Sequence, residues 1–323
     1  MILFKKILFV LVLALSGFVG FYAAKTQAKL DNTLNMLNHD VQDKLSNVDL
    51  SGIQVNSDDE VINILLMGVD EREDLHDEGR SDSTMIATLD KKNKRLKLTS
   101  LMRDMYVEIP GYGQDKFNAA YAYGGPELVY KTIAQNFGIQ LDGYVEVNFS
   151  AFVKVVRAVG GIEIELSERE AEYLNTTNYI SRKKYRNVKA GKHRINGYQA
   201  LGYSRVRYVP TIDGLENDYG RTARQRRVMQ AVFSKVKSQS MSKWLSIAKE
   251  VLPEITTDLT NEEIMQYITD IIMLGTTELD QMRIPVDGAY TESKINGADV
   301  LEVDLTENTN KLQDFLFNYR GEK

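Results

Sequence analysis

The nine residues Val61–Val69 (VINILLMGV) are a near-continuous apolar run. At that length it reads as a strand buried on both faces, as in a sheet with helices packed over it, because a strand with one wet face would alternate. A chain containing it must build a covered sheet, and the remaining patterns agree. The apolar stretch 84–89 is joined by the polar turn 90–94 to an alternating segment carrying Leu96 and Leu98, which predicts a hairpin. A helix is expected from near Pro126, a good first-turn residue, to Phe137 before Gly138. A strand at 144–149, a helix capped by Ser150, a break at Gly160 and Gly161, and the alternating strand Ile162, Ile164, Leu166 follow. Segments 196–204, 219–238, 241–251 and 261–274 read as helices. With no linker-like stretch between 60 and 323, this predicts a single α/β domain: a central mixed β-sheet covered by helices on both faces.

Ahead of the domain, residues 7–24 form an uncharged run preceded by Lys5 and Lys6. As a helix it would span about 27 Å, close to the hydrocarbon thickness of a bilayer. The lysine pair on the short side places residues 1–6 in the cytoplasm and everything after 25 outside. A cleaved signal peptide is the alternative, but the run exceeds a usual signal core and no clean AxA site follows it, so an uncleaved signal-anchor is the reading adopted. Residues 25–51 lack Gly and Pro, and Leu30, Leu34, Leu37, Val41 and Leu45 recur at three- and four-residue steps, predicting an amphipathic stalk helix lying on its own domain or near the membrane. The expected organisation is a cytoplasmic tail (1–6), a transmembrane helix (7–24), an extracellular stalk (25–57) and an extracellular catalytic domain (58–323).

Composition removes several chemistries. There is no Cys, so disulfides, Cys-ligated metals and thiolate nucleophiles are excluded. The three histidines, at 39, 76 and 193, form no HExxH pair. The formal net charge of -5 argues against a general nucleic-acid binder. Chemistry concentrates instead in charges at strand ends. Asp70 and Arg72 follow the first strand in GVDER, Arg80 and Asp82 open the second in GRSDST, and Arg103 and Asp104 follow the third in SLMRD. If these strands are neighbours, three carboxylates and three guanidiniums meet where open α/β sheets bind ligands. Arg205 and Arg207 (YSRVRY) and Arg221 and Gln225 (DYGRTARQ) add an i,i+2 and an i,i+4 pair. Arginine forks suit phosphate oxygens, and carboxylates among them suit Mg²⁺ together with those phosphates. The inferred ligand is a diphosphate with a bound metal. Ordinary ion-pair networks explain any one pair, but six arginines and a glutamine over five segments exceed what one network needs.

These residues resemble the LytR-CpsA-Psr family. The matching segments are LLMGVDER (65–72), GRSDSTM (79–85), SLMRDMYVEIPG (100–111), DKFNAAYAYGG (115–125), VGGIEIEL (159–166), AGKHRINGYQALGYSRVRY (190–208) and DYGRTARQRRVM (218–229), in the family's order. The resemblance implies an LCP-like α/β/α domain behind a membrane anchor. It further implies a phosphotransferase that moves an anionic glycopolymer, such as teichoic acid or capsule, from undecaprenyl diphosphate to a peptidoglycan sugar hydroxyl. By that similarity Asp70 and Asp82 bind Mg²⁺, with Mn²⁺ as an alternative. Arg72, Arg80, Arg103, Arg205, Arg207 and Arg221 hold the phosphates, with Gln225 assisting, and Asp104 and Asp82 are the candidates for general base. Implied partners are the polyprenyl-linked glycopolymer, peptidoglycan, the membrane and the wall-synthesis machinery, with no nucleic acid. A polyprenyl pocket would draw on Leu128, Val129, Ile133 and Phe137 and on Phe152, Val153 and Val156, although core packing explains each equally. The basic run Arg182, Lys183, Lys184, Arg186, Lys189, Lys192, Arg194 reads either as a solvated loop or as a surface that steers an anionic polymer. Hydrolysis of the lipid diphosphate, and a polymer-holding scaffold or regulator, are the competing functions.

Overall fold

The structure is a computed structural model, and it describes residues 33–40, 44–69, 81–237, 247, 249–274 and 279–318. The anchor run 7–24 lies outside them, and among the described residues no helix is long and apolar enough to cross a membrane. The fold is mixed α/β. Thirteen strands are described: β1 (Asn38–His39), β2 (Val61–Val69), β3 (Ser81–Asp90), β4 (Arg95–Leu101), β5 (Met105–Ile109), β6 (Gly113–Lys116), β7 (Gly143–Asn148), β8 (Ile162–Leu166), β9 (Gly191–Ile195), β10 (Ile255–Thr257), β11 (Leu279–Ile284), β12 (Tyr290–Ile295) and β13 (Ala298–Val303). The central sheet has the order β1-β10-β7-β2-β3-β4-β11. It is mixed, because β2, β3 and β4 run antiparallel to one another while β11 adds to β4 in parallel. All nine residues of β2 are buried, as its unbroken apolar run requires.

The chain divides into two compact units. One comprises Met1–Asn38, Val147–Thr256 and Asn261–Ile272, the other His39–Glu146, Thr257–Thr260 and Met273–Lys323. No linker-like stretch separates the two units, and the reason is local. Three of the boundaries fall at or inside strands, β1, β7 and β10, where sheet pairing forbids a Pro/Ser/Gly signal.

In the second unit, helix Ala119–Phe137 packs on β3, β5 and β6 and on helix Leu305–Phe317. Pro126 opens the longer part of the first helix, after a break at Gly124 and Gly125 where Gly125 has φ 56, and Gly138 closes it in the left-handed region. In the first unit, helices Phe149–Ala158, Gly197–Arg205 and Asn217–Lys237 pack in succession. The cap of Phe149–Ala158 is Asn148, whose side chain accepts from the Ala151 N–H at 3.2 Å, rather than the expected Ser150. The strand at Ile162 forms as expected, yet β8 pairs only with β9, in a separate two-stranded sheet. The stalk helix over 25–51 is not continuous. Residues 35–36 form a turn, β1 joins the edge of the central sheet, Leu45–Asn47 is a 3₁₀ turn, and Leu34, Leu37 and Leu45 are each buried in turn. Their spacing suits a helical stripe, but sheet pairing of residues 38–39 supplies backbone partners that a free helix would not.

One end of the β3–β4 hairpin is closed by a fully buried ion pair. Lys97 Nζ donates to Asp90 and, at 2.9 Å, to the Leu316 carbonyl, which ties helix Leu305–Phe317 to the sheet. Burial holds the Lys97 ammonium below the ordinary lysine value of 10.5. The Asp90→Asn substitution is expected to cost about 3–5 kcal/mol in urea unfolding, because it strands a buried ammonium. With its folded value lowered, the unfolded chain binds more protons as pH approaches the ordinary value, so this group's contribution rises with pH. The stability of the wild type relative to Lys97→Met should therefore grow from neutral pH upward; a flat difference would contradict the assignment.

Candidate functional site

Antiparallel pairing brings three strand ends together. Val69, the last residue of β2, lies opposite Ser81, the first of β3, and Thr84 lies opposite Leu101, the last of β4. The charged motifs thus leave one end of the sheet, as the strand-end reading required. Asp70, Arg72 and Arg80 lie outside the described residues. Asp82 is the extra residue of a bulge, since Gly68 pairs with Ser83 and Val69 with Ser81, and its backbone is described but not its side chain. The residues that follow Val69 and Ser81 in sequence are the two aspartates assigned to Mg²⁺. Two carboxylates beside substrate phosphates are a donor set that suits a hard, oxygen-seeking cation. Among the described residues no cluster of three or more His, Asp or Glu side chains could hold a metal by itself.

Arg103 and Asp104 form the turn between β4 and β5. Arg103 Nε donates to Asp104 Oδ2 at 3.3 Å, and Lys116 Nζ donates to Asp104 Oδ1 at 2.8 Å. Lys116 reaches it because β6 pairs Lys116 with Tyr106, two residues beyond Asp104. Asp104, one of the two candidates for general base, therefore has both carboxylate oxygens committed to cations. Lys116 and Asn118 were passed over in the sequence, although both stand in DKFNAAYAYGG. Asn118 donates its N–H to the Arg103 carbonyl at 3.2 Å. It occupies the N-cap of helix Ala119–Phe137 but makes no side-chain cap bond, and its buried Oδ1 has no hydrogen-bond partner among the described residues. A buried acceptor with no partner among the described residues, beside a candidate phosphate ligand, suits a donor supplied at the site.

The first unit gathers the second set. Arg205 ends helix Gly197–Arg205 with its guanidinium 5.0 Å from the Phe149 ring, and Arg207 lies 5.7 Å from the Tyr208 ring. Between them Val206 is extended and fully buried, which leaves both arginines half-buried on the strand-like segment. Helix Asn217–Lys237 supplies Arg221, which pairs with Asp218, and Gln225, whose Nε2 donates to the Ser204 carbonyl at 3.2 Å while its buried Oε1 has no hydrogen-bond partner among the described residues. The residue that fixes this arrangement is Arg224, which the sequence did not single out. Its Nε donates to Glu170 at 2.8 Å, and its terminal nitrogens donate to the Val206 and Val209 carbonyls at 3.0 and 2.8 Å, clamping the segment that carries Arg207. Glu170 is itself the third residue of a capping box with Ser167. Tyr173, near Arg207, is pushed up to about 12 by burial and by its hydrogen bond with Tyr179, which excludes it as a base at neutral pH.

The residues proposed for a lipid pocket are buried, except that Val153 is half-buried; a packed core and a lined tunnel both require this. In the basic run, Lys192 and Arg194 face Glu165 and Glu163 across β8–β9, and Arg186 donates to the Ile180 carbonyl at 2.9 Å. Arg182, Lys183, Lys184 and Lys189 are exposed, with Arg182 over the Tyr198 ring at 4.4 Å.

An α/β sheet with arginines gathered at strand and helix ends defines an anion-binding protein of the phosphate-handling class. Comparison with known proteins narrows the class: the chain belongs to the LytR_cpsA_psr family, whose model matches residues 20–315. It is 34% identical over 260 residues to the regulatory protein MsrR of Staphylococcus aureus (strain COL), covering 79% of this chain and 74% of that one. It is 33% identical over 322 residues to the polyisoprenyl-teichoic acid–peptidoglycan teichoic acid transferase TagU of Bacillus mycoides (strain KBAB4), covering 97% and 98%. Among solved structures, TagT bound to LIIa-WTA matches with a TM-score of 0.63 at 26% identity, covering 83% of this chain and 98% of that one. The family protein YwtF (TagT) with bound octaprenyl pyrophosphate lipid matches with a TM-score of 0.60 at 25% identity, with the same coverage.

Arg224→Lys is expected to lower the melting temperature markedly, costing about 3 kcal/mol, because an ammonium cannot replace a three-way fork and leaves Glu170 under-partnered. Thermal unfolding followed by circular dichroism measures it, and a melting curve matching the wild type would refute the clamp.

Proposed function

We propose that the chain is a membrane-anchored phosphotransferase that moves an anionic glycopolymer, teichoic acid or capsule or a similar polymer, from an undecaprenyl-diphosphate carrier to a peptidoglycan sugar hydroxyl. The reading rests on the Arg103–Asp104–Lys116 cluster at the coincident ends of β2, β3 and β4. It is supported by similarity to the teichoic acid transferase TagU and to the family protein TagT with bound octaprenyl pyrophosphate lipid. The run 7–24 is proposed as a single-pass anchor with the remainder outside the cell, which puts the polyprenyl carrier within reach.

In the reaction the sugar hydroxyl oxygen bonds to the polymer-side phosphorus, the bond from that phosphorus to the bridging oxygen breaks, and undecaprenyl phosphate leaves with that oxygen. Such transfers depend on positioning and on stabilising charge. Arg103, with Arg72 and Arg80, would hold diphosphate oxygens at the strand ends, in a plane fixed by the Nε bond to Asp104. Arg205, Arg207 and Arg221, with Gln225, form a second phosphate-binding set whose spacing Arg224 maintains. Mg²⁺ on Asp70 and Asp82 would offset diphosphate charge and stabilise the departing phosphate. Lys116 holds the Asp104 carboxylate in place, and Asn118 Oδ1, with no partner among the described residues, is the group suited to accept a hydrogen bond from the incoming hydroxyl.

The test is transfer from a short lipid-diphosphate-linked glycan to peptidoglycan oligomers, with the full chain in vesicles. Metal-dependent coupling, abolished by EDTA and reduced about 100-fold or more in Arg103→Ala, is expected, as for removal of one transition-state donor. Release of uncoupled phosphorylated glycan would make the protein a hydrolase, and tight lipid binding without turnover a scaffold. The exposed cations Arg182, Lys183, Lys184 and Lys189 are proposed to steer the polymer. Changing all four to Gln should lower transfer more at low salt than at high salt, and equal loss at both would reject steering.

A further inference from the structure

In the first unit, the segment that carries Arg207 runs on into a tight loop, residues 208–216, whose large apolar side chains stand in water. Tyr208, Ile212 and Leu215 are 69%, 43% and 40% exposed. In a loose segment this would mean little, but the loop is closed by its own hydrogen bonds. The Thr211 carbonyl accepts the Gly214 N–H at 2.8 Å and the Thr211 N–H donates to the Leu215 carbonyl at 2.8 Å, which makes Ile212 and Asp213 the central pair of a β-turn. Thr211 Oγ1 accepts the Leu215 N–H at 3.0 Å, and Gly214, at φ 82, supplies the left-handed residue that the closure needs. At the stem, Arg224 holds the Val209 carbonyl. Ile212 is thus presented at the tip of an ordered turn.

Charge at the tip is compensated, because Asp213, the acid of the turn, is paired with Arg227. Toward the stem the chemistry changes. The Arg207 guanidinium lies 5.7 Å from the Tyr208 ring, and Tyr173, near both, forms a tilted pair with Tyr179 at 5.4 Å. Aliphatic side chains on a neutralised tip, followed by hydroxyl-bearing rings and an arginine, match the layering of a bilayer boundary: acyl chain, amphipathic ring, headgroup-binding cation. Ile212 and Leu215 offer a glycan neither a ring face nor a hydrogen bond.

We propose that the 208–216 loop docks on the membrane surface, with Ile212 and Leu215 entering the acyl boundary and Arg207 held at headgroup depth. That docking delivers Arg207 to a lipid diphosphate rests on the transferase reading; the docking itself does not. Because the chain has no Cys, the full chain in vesicles takes one nitrobenzoxadiazole label at Ile212→Cys, at Leu215→Cys or, as control, at Glu163→Cys, exposed on β8. Brominated acyl chains should quench the first two labels about twofold and leave the control unchanged. Ile212→Ser with Leu215→Ser should raise the KM for a long-chain donor in vesicles about tenfold and leave a short-chain soluble donor unaffected. Quenching at both loop positions while the wild type transfers nothing would uphold docking and overturn the transferase reading. Loop labels unquenched in vesicles that carry out transfer would overturn docking alone, as would equal quenching of all three labels. Labels shielded from water but not quenched by lipid would assign the loop to a protein partner, and they too would overturn docking.

Discussion

A strand buried at every position cannot hold a charge along its length without the cost of desolvating it, so whatever ionic chemistry β2 supports is pushed to its ends. Pairing with β3 and β4 then decides what those ends share. At one end the register collects Val69, Ser81 and Leu101, the strand residues that the motifs GVDER, GRSDST and SLMRD adjoin. At the other, Lys97 and Asp90 are the exception that fits the rule. They are buried as a matched pair, and the ammonium's further bond to the Leu316 carbonyl closes that end with a helix. The same sheet thus has one end closed by a buried ion pair and, at the other, the Arg103–Asp104–Lys116 cluster.

Arginine is used in two ways, and neighbouring arginines in one helix differ in which. Arg221 and Gln225 stand four residues apart on a common face of Asn217–Lys237, while Arg224 and Arg227 stand three apart on another. Arg224 spends all three donor directions inside the protein, on Glu170 and two carbonyls, and Arg227 meets Tyr203 and Asp213. A guanidinium used in this way is a rivet. It sets the spacing of Arg207 and Gln225, so a structural arginine enforces the geometry of those proposed to bind ligand.

Much of this was legible in the sequence because it depends on local rules. The buried run of β2, the hairpin that follows, the Pro126 and Gly138 boundaries and the helices Gly197–Arg205, Asn217–Lys237 and Asn261–Leu274 follow from periodicity and turn chemistry, while most of the expected helix 241–251 lies outside the described residues. The charged strand ends were legible for the same reason, since a covered sheet leaves no other place for them. What escaped depends on partners distant in the chain. Glu170 lies 54 residues before Arg224, so nothing beside Arg224 marks it as buried. Lys116 gained its meaning only from its register with Tyr106, which puts it within reach of Asp104. The leucine spacing after residue 30 suited a helix, but β1 pairs at the sheet edge instead, a long-range choice that a periodic pattern does not record. Asn148 displaced Ser150 as a cap because strand β7 ends one residue earlier than the pattern implied, where its last residue turns to bond Ala151.

Asp104 shows how such pairing constrains mechanism. Its backbone carbonyl accepts the Leu301 N–H at 2.8 Å, and its two side-chain oxygens hold Arg103 and Lys116. Taking up a proton would weaken both ion pairs just as charge builds on the transferring phosphorus, so the arrangement favours a carboxylate that orients cations over one that acts as a base. Phosphoryl transfer tolerates this. In a loose transition state the bond to the incoming oxygen is still weak, so its proton becomes acidic late and a strong base is not required at the peak of the barrier. The demands that remain are alignment of the hydroxyl and stabilisation of spread negative charge, and fixed arginines with an unpartnered amide oxygen beside them are suited to both.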